Sequence, residues 1–163
     1  MIRVVVGELA REPADAVVRP ADAGLAPVGP EAARLDEIGG HRFAAQRRTA
    51  TPLEAGAAVV TGGGDLPAGF ALHVVVVDER GPAGADRIRR ALVSAWQRAG
   101  DWQLRRIATP LVGVPGGPLT AAEAATLLVE TFREQTDTTI ELIIVVDPPN
   151  RVAVEAIVGR TQA

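Results

Sequence analysis

Apolar residues fall into two rhythms along this chain. Nearly unbroken runs such as ALHVVVV at 71–77 and IELIIVV at 140–146 are rich in β-branched residues, which suits inner strands covered on both faces. Shorter runs of the same kind predict strands over 2–6, 16–19, 57–61 and 105–111. Elsewhere apolar residues recur every three or four positions. Ile88, Ala91, Leu92, Ala95, Trp96 and Ala99 make one face of a helix over 85–99 that stops at Gly100. Ala121, Ala124, Ala125, Leu128 and Phe132 make another over 120–135. Two more helices are expected. One, over 30–38, opens on Pro30 and closes on Gly39 and Gly40; the other, over 150–158, has Asn150 as its N-cap. Late in the chain strand and helix alternate, which predicts an α/β sheet wrapped by helices. Right-handed crossovers make its strands largely parallel. The strands at 71–77, 105–111 and 140–146 are expected as neighbours inside the sheet.

The turns raise the functional question. Residues 109–125, TPLVGVPGGPLTAAEAA, join a strand to a helix through three glycines. Such a turn suits a phosphate cradle, because glycine lets a ligand approach the backbone and a helix N-terminus offers unpaired N–H groups. It equally suits a tight connection, since Thr120 and Glu123 form a capping box that satisfies two of those donors internally. A second loose stretch, PADAGLAPVGP at 20–30, also follows a strand. In open α/β sheets ligands bind beyond the carboxyl ends of strands, so the two loops are placed to meet on one edge.

Composition removes several chemistries. With 163 residues the chain is expected as one domain over 1–163, long enough for a real core. It has no cysteine, which excludes disulfides, thiolate nucleophiles and Cys-ligated zinc. Its 17 cationic residues are all arginine, so no P-loop lysine and no Schiff base is available. The net charge of −3 supplies no basic field for a nucleic acid, and no apolar stretch has the length of a membrane span. Neither partner is expected, and a cytoplasmic location is. The two histidines are isolated, so no metal spacing appears and no cofactor is expected. His73 lies in an apolar strand, where a hydrogen-bonded core role outweighs that of a base; His41 is expected on an exposed helix. TGGGD at 61–65 leads to another strand, which favours a hairpin-like turn over a phosphate site.

The order of four weak motifs resembles the macro domains, the ADP-ribose-binding α/β family. VVVGELAREPADAVVRPADAGL resembles their opening, a strand ending in G-D-I followed by D-A-I-V-N-A-A-N and a glycine-rich loop. EAGAAVVTGGGDLPAGFALHVV is similar to the G-E-A…T-x-G-x-L-P…V-I-H segment. IATPLVGVPGGPLTAAEAATLLVETF is similar to the second glycine-rich loop and its helix, and IIVVDPPNRVAVEAIV to the last strand and helix. The resemblance implies a three-layer α/β/α fold with a mixed sheet of about six strands.

Site residues follow from the resemblance alone. The adenine-binding Asp corresponds to Glu8, with apolar Leu9 after it. N-A-A-N corresponds to Arg19, Pro20, Ala21 and Asp22, so the Asn that binds the distal ribose and supports hydrolysis falls on Asp22, which accepts but does not donate when ionised. The first phosphate loop keeps Gly24 and Gly29 but carries Pro27 and Pro30, which lack N–H donors. The second keeps Gly113, Val114, Gly116 and Gly117 around Pro115, and no aromatic residue stands near Asp147 to stack on adenine. The resemblance therefore ranks a binding or interaction module with a weakened or repurposed nucleotide pocket first, with ADP-ribose or a related nucleotide held weakly. A working ADP-ribose reader ranks second and an ADP-ribosyl hydrolase third. An unrelated α/β fold without a ligand stays open.

Overall fold

The computed structural model describes residues 1–49, 51–135 and 139–160. The apolar runs become strands β1 (Ile2–Val6), β2 (Ala16–Asp22), β3 (Ala58–Gly62), β4 (Phe70–Asp78), β5 (Gly81–Pro82), β6 (Arg106–Thr109) and β7 (Glu141–Val146). The periodic segments become α1 (Pro30–Gln46), α2 (Ala85–Asp101), α3 (Ala121–Gln135) and α4 (Arg151–Arg160). They build one mixed sheet in the order β1-β7-β6-β2-β4-β3, with β5 paired to β4. The pairs β1–β7, β7–β6, β6–β2 and β2–β4 are parallel, whereas β3 and β5 run antiparallel to β4.

Side-chain alternation splits the core between the two faces. Leu142, Ile144 and Val146 of β7 join Val18, Leu72, Val74 and Ile107 beneath α2, α3 and α4. Ile143 and Val145 turn the other way, toward Leu35 and Phe43 of α1, with Val17, Ala71 and Ala108. The predicted stripe of α2 is buried at all six positions, from Ile88 to Ala99. Trp96 meets Phe132 edge to face, and its Nε1–H donates to Thr131 Oγ1 at 2.9 Å, so the indole dipole is satisfied within the core.

Several expectations shift. The strands at 71–77 and 105–111 are not direct neighbours, because β2 lies between β4 and β6. β2 carries an arginine and a proline, and its first six residues are buried at the centre of the sheet. It also runs on through Pro20 to Asp22. The Pro20 carbonyl accepts from Val28 N–H, and a strand residue points its carbonyl and nitrogen the same way. The proline nitrogen therefore faces the returning loop rather than β4, and no ladder bond is lost. The first helical stretch does close at Gly40, whose φ 65° and ψ −160° are not helical; a second stretch follows directly and carries α1 to Gln46. Asn150 belongs to a 3-10 turn, Pro148–Asn150, that precedes α4, because its N–H bonds the Asp147 carbonyl. The TGGGD stretch does turn β3 back into antiparallel β4.

Candidate functional site

Parallel pairing places the carboxyl ends of β1, β7, β6, β2 and β4 along one edge. Five connections leave from there: residues 7–15 after β1, 23–29 after β2, 79–80 after β4, 110–120 after β6 and Asp147 after β7. A pocket of about 340 Å³ opens where the connections after β1 and β7 meet the start of α1, lined by Gly7, Glu8, Leu9, Ala10, Pro30, Glu31, Arg34, Val145 and Asp147. Of the residues expected at the site, Glu8 and Leu9 line it. Asp22, Gly24, Gly29, Gly113, Val114, Gly116 and Gly117 do not.

Glu8 is engaged on both oxygens. Arg34 Nε donates to Oε1 at 2.7 Å and Arg11 Nε to Oε2 at 2.9 Å. The Arg34 hydrogen bond, helped by Arg11 and opposed by partial desolvation, holds the carboxyl below the usual range. Arg34 in turn reaches Glu37 at 2.7 Å. Among the described residues it is the one guanidinium on the pocket wall, and the motifs of the sequence do not point to it. Its signal is its place on the first exposed turns of the helix that follows the loop. Leu9 opens a 3-10 turn, Leu9–Arg11, and packs with Leu35, Phe43 and Val17, so it anchors the pocket floor to the core.

Asp22 holds its own loop. Its Oδ1 accepts from the N–H groups of Gly24 and Ala26, both at 2.9 Å. Asp22 N–H bonds the Ala26 carbonyl, Leu25 N–H bonds the Asp22 carbonyl, and Val28 N–H bonds that of Pro20. Leu25 sits at φ 65° with its side chain buried, which this Asx turn stabilises. The amide of Gly24 is thus spent inside the loop. Gly29, at φ 94°, ends the loop as the N-cap of α1.

The second loop is tied to itself in the same way. Val114 N–H reaches the Leu111 carbonyl, Gly117 N–H that of Val114, and Leu119 N–H that of Gly113. A Cβ on Gly117 would lie 2.4 Å from the Gly113 carbonyl oxygen, so this glycine is demanded by the turn itself. Gly113 lies against Ile88 and Leu119, and Val114 packs partly into the core. The expected capping box is present: Thr120 N–H donates to Glu123 Oε1 at 3.0 Å and Glu123 N–H to Thr120 Oγ1 at 3.1 Å. The two loops face each other and touch. A Cβ on Gly29 would lie 2.8 Å from Pro115 Cβ, and one on Gly116 would meet Val28 at 3.9 Å.

Beneath the first loop lies a charged cluster. Arg19, fully buried, forms a two-pronged ion pair with Asp36 at 2.8 and 2.9 Å, and Arg47 adds a bond to the same carboxylate at 2.8 Å. Arg19 also donates to His73 Nδ1 at 3.2 Å. A guanidinium can only donate, so the imidazole proton is on Nε2, directed at Thr61 Oγ1 at 2.7 Å. Burial first, and then Arg19 and Arg47, push the His73 pKa down to about 3. His73 is therefore neutral and enclosed, as the core reading expected, while His41 is exposed. Among the described residues no group of three or more His, Asp or Glu is placed to hold a metal ion.

Comparison with known proteins bears on the fold and the family. The chain is 31% identical over 132 residues to an uncharacterised protein of Aeropyrum pernix, covering 77% of this chain and 67% of that one. It is 30% identical over 139 residues to a macro domain-containing protein of Cupriavidus necator, covering 82% and 80%. Among solved structures, a Trypanosoma brucei macrodomain in complex with ADP-ribose superposes with a TM-score of 0.81 at 23% identity, over 97% of this chain and 69% of that one. An Oceanobacillus iheyensis macrodomain with ADP superposes with a TM-score of 0.76 at 16% identity, over 98% and 90%. The Macro domain model matches residues 18–128, the stretch that runs from β2 through both touching loops into α3, and the chain thus belongs to the macro domain family.

Proposed function

We propose that this macro domain is a binding or interaction module whose cleft keeps a nucleoside-sized pocket but grips a diphosphate weakly. Macrodomains of the same fold have been solved with ADP-ribose and with ADP, which supports a nucleotide as the ligand class. The pocket at Glu8 and Leu9 lies where the resemblance puts adenine, and the Glu8 carboxylate keeps lone pairs with which to accept from an exocyclic amine. The observation that carries the reading is the close approach of Pro115 to Gly29, near enough that a Cβ on the glycine would clash with it. It brings together the two loops to which the resemblance assigns the diphosphate, and the amides of Gly24, Ala26, Val114 and Gly117 are spent within the loops, that of Val28 on the Pro20 carbonyl of β2. Pro27, Pro30, Pro115 and Pro118 offer no donor at all.

Each charge-assisted hydrogen bond to phosphate is worth roughly 1.5–3 kcal/mol, so losing two or three turns a micromolar ligand into one of about millimolar affinity or weaker. Calorimetric titration of ADP-ribose tests this on the natural chain and on the combined variant Asp22→Asn, Pro27→Gly and Pro115→Gly. Asn keeps the Oδ1 acceptor of the Asx turn, so the loop retains its shape. The natural chain is expected to bind weakly or undetectably and the variant at least about tenfold more tightly. Micromolar binding by the natural chain would instead make it an ADP-ribose reader.

A further inference from the structure

We infer that Glu31 is a built-in anion at the start of α1 that sets ligand preference: the pocket favours an uncharged nucleoside over its phosphorylated forms. This rests on the nucleoside-pocket reading above and names the discrimination within it. Three carboxylates line the pocket, those of Glu8, Glu31 and Asp147, against the single guanidinium of Arg34. Arg34 and Arg11 compensate Glu8, and Arg34 is further shared with Glu37. Among the described residues neither Glu31 nor Asp147 has an ion-pair partner, so the wall carries uncompensated negative charge.

The position of Glu31 makes it the decisive one. It is the second residue of α1, where the helix presents its partial positive charge. The N-cap is Gly29, which has no side chain to cap with, and Pro30 has no N–H. Glu31 turns back over this end: its Oε2 lies 3.7 Å from the position a Cβ on Gly29 would take. A helix start flanked by a glycine-bearing loop would ordinarily draw in a ligand's phosphate. Here that field is answered by a tethered carboxylate. An incoming phosphate meets like charge at short range from half-buried Glu31 and exposed Asp147. Adenosine carries no charge and escapes the repulsion; AMP and ADP meet it increasingly.

The test is titration of adenosine, AMP and ADP into the natural chain and into Glu31→Gln and Asp147→Asn, followed by calorimetry and by amide chemical shifts of Gly7–Ala10 and Glu31–Arg34. Glutamine matches the length of Glu31 and removes only its charge. The natural chain is expected to bind adenosine more tightly than AMP, and AMP more tightly than ADP. Glu31→Gln should raise AMP and ADP affinity by about tenfold or more while moving adenosine by less than about twofold. Added salt should strengthen AMP binding to the natural chain, by screening repulsion, and lose that effect in Glu31→Gln. If adenosine binds and Glu31→Gln leaves the order unchanged, or Asp147→Asn gives an equal gain, the role assigned to Glu31 is overturned alone. If adenosine shifts none of these amides, the nucleoside pocket itself fails, and this inference with it.

Discussion

His73 shows how a single residue is determined by its surroundings. Phe43 stacks on its ring at 5.7 Å, and Arg19 and Arg47 lie on the same side of the sheet. Burial first, and then the charges of Arg19 and Arg47, favour the neutral imidazole, with a pKa of about 3 against the ordinary 6.5. The native state therefore binds fewer protons than the unfolded chain between those values. The stabilisation is complete above pH 6.5 and is lost as pH falls toward 3, by up to roughly 1.4 kcal/mol per pH unit. The lowered carboxylates Glu8 and Glu123 act only below their ordinary value of 4.5. Urea unfolding between pH 6.5 and 5 is expected to show a falling midpoint, with the slope flattened in His73→Gln. An unchanged slope in that variant would remove His73 as its source. Asp22 teaches the complementary lesson. Its carboxylate looks like a ligand group in sequence, and its two bonds to Gly24 and Ala26 make it a loop fastener.

At the scale of elements, helices with one clear apolar stripe were legible because burial of that stripe decides them locally. α2 and the Thr120–Glu123 cap of α3 are examples. β2 was less legible because its fate depends on β4 and β6, which arrive far later in the chain. The loop after β6 was legible as a tight glycine turn, but which glycine is indispensable was not. The structure singles out Gly117, where a Cβ would strike backbone rather than a movable side chain. Gly117→Ala is therefore expected to lower unfolding free energy by about 2–3 kcal/mol, because turn backbone must move to admit the methyl, whereas Gly116→Ala, with open space beyond Val28, carries only the strain of its positive φ, about 1 kcal/mol. Chemical denaturation of the two variants checks the order, and a milder effect at Gly117 than at Gly116 would contradict it.

For the whole molecule, the arrangement of charge around the cleft bears on catalysis. Hydrolysis of an ADP-ribosyl bond needs a group free to orient or activate water. Asp22 is tied into its loop, His73 is enclosed, and Glu8 is held by two arginines. The purified protein is expected to release no ADP-ribose from an ADP-ribosylated protein substrate above background, measured by loss of label. Turnover that disappears in Asp22→Asn, which keeps the Oδ1 acceptor that fastens the loop, would reverse this and give Asp22 the role that the resemblance suggests for its position.

The sequence by itself determined the alternation of strand and helix, the mixed sheet, the Thr120–Glu123 cap of α3 and the family, because these rest on local periodicity and on the order of motifs along the chain. Only the tertiary structure decided which expected residues share a pocket. Glu8 and Leu9 meet Glu31, Arg34 and Asp147 there, while the glycines of both loops do not line it. The physical reason is that a backbone amide or a carboxylate serves whichever partner reaches it first. Loop closure supplies those partners from within, through Asp22 and through Pro115 against Gly29. Motif spacing along the chain records which groups are present, not which of them the folded loops have already used.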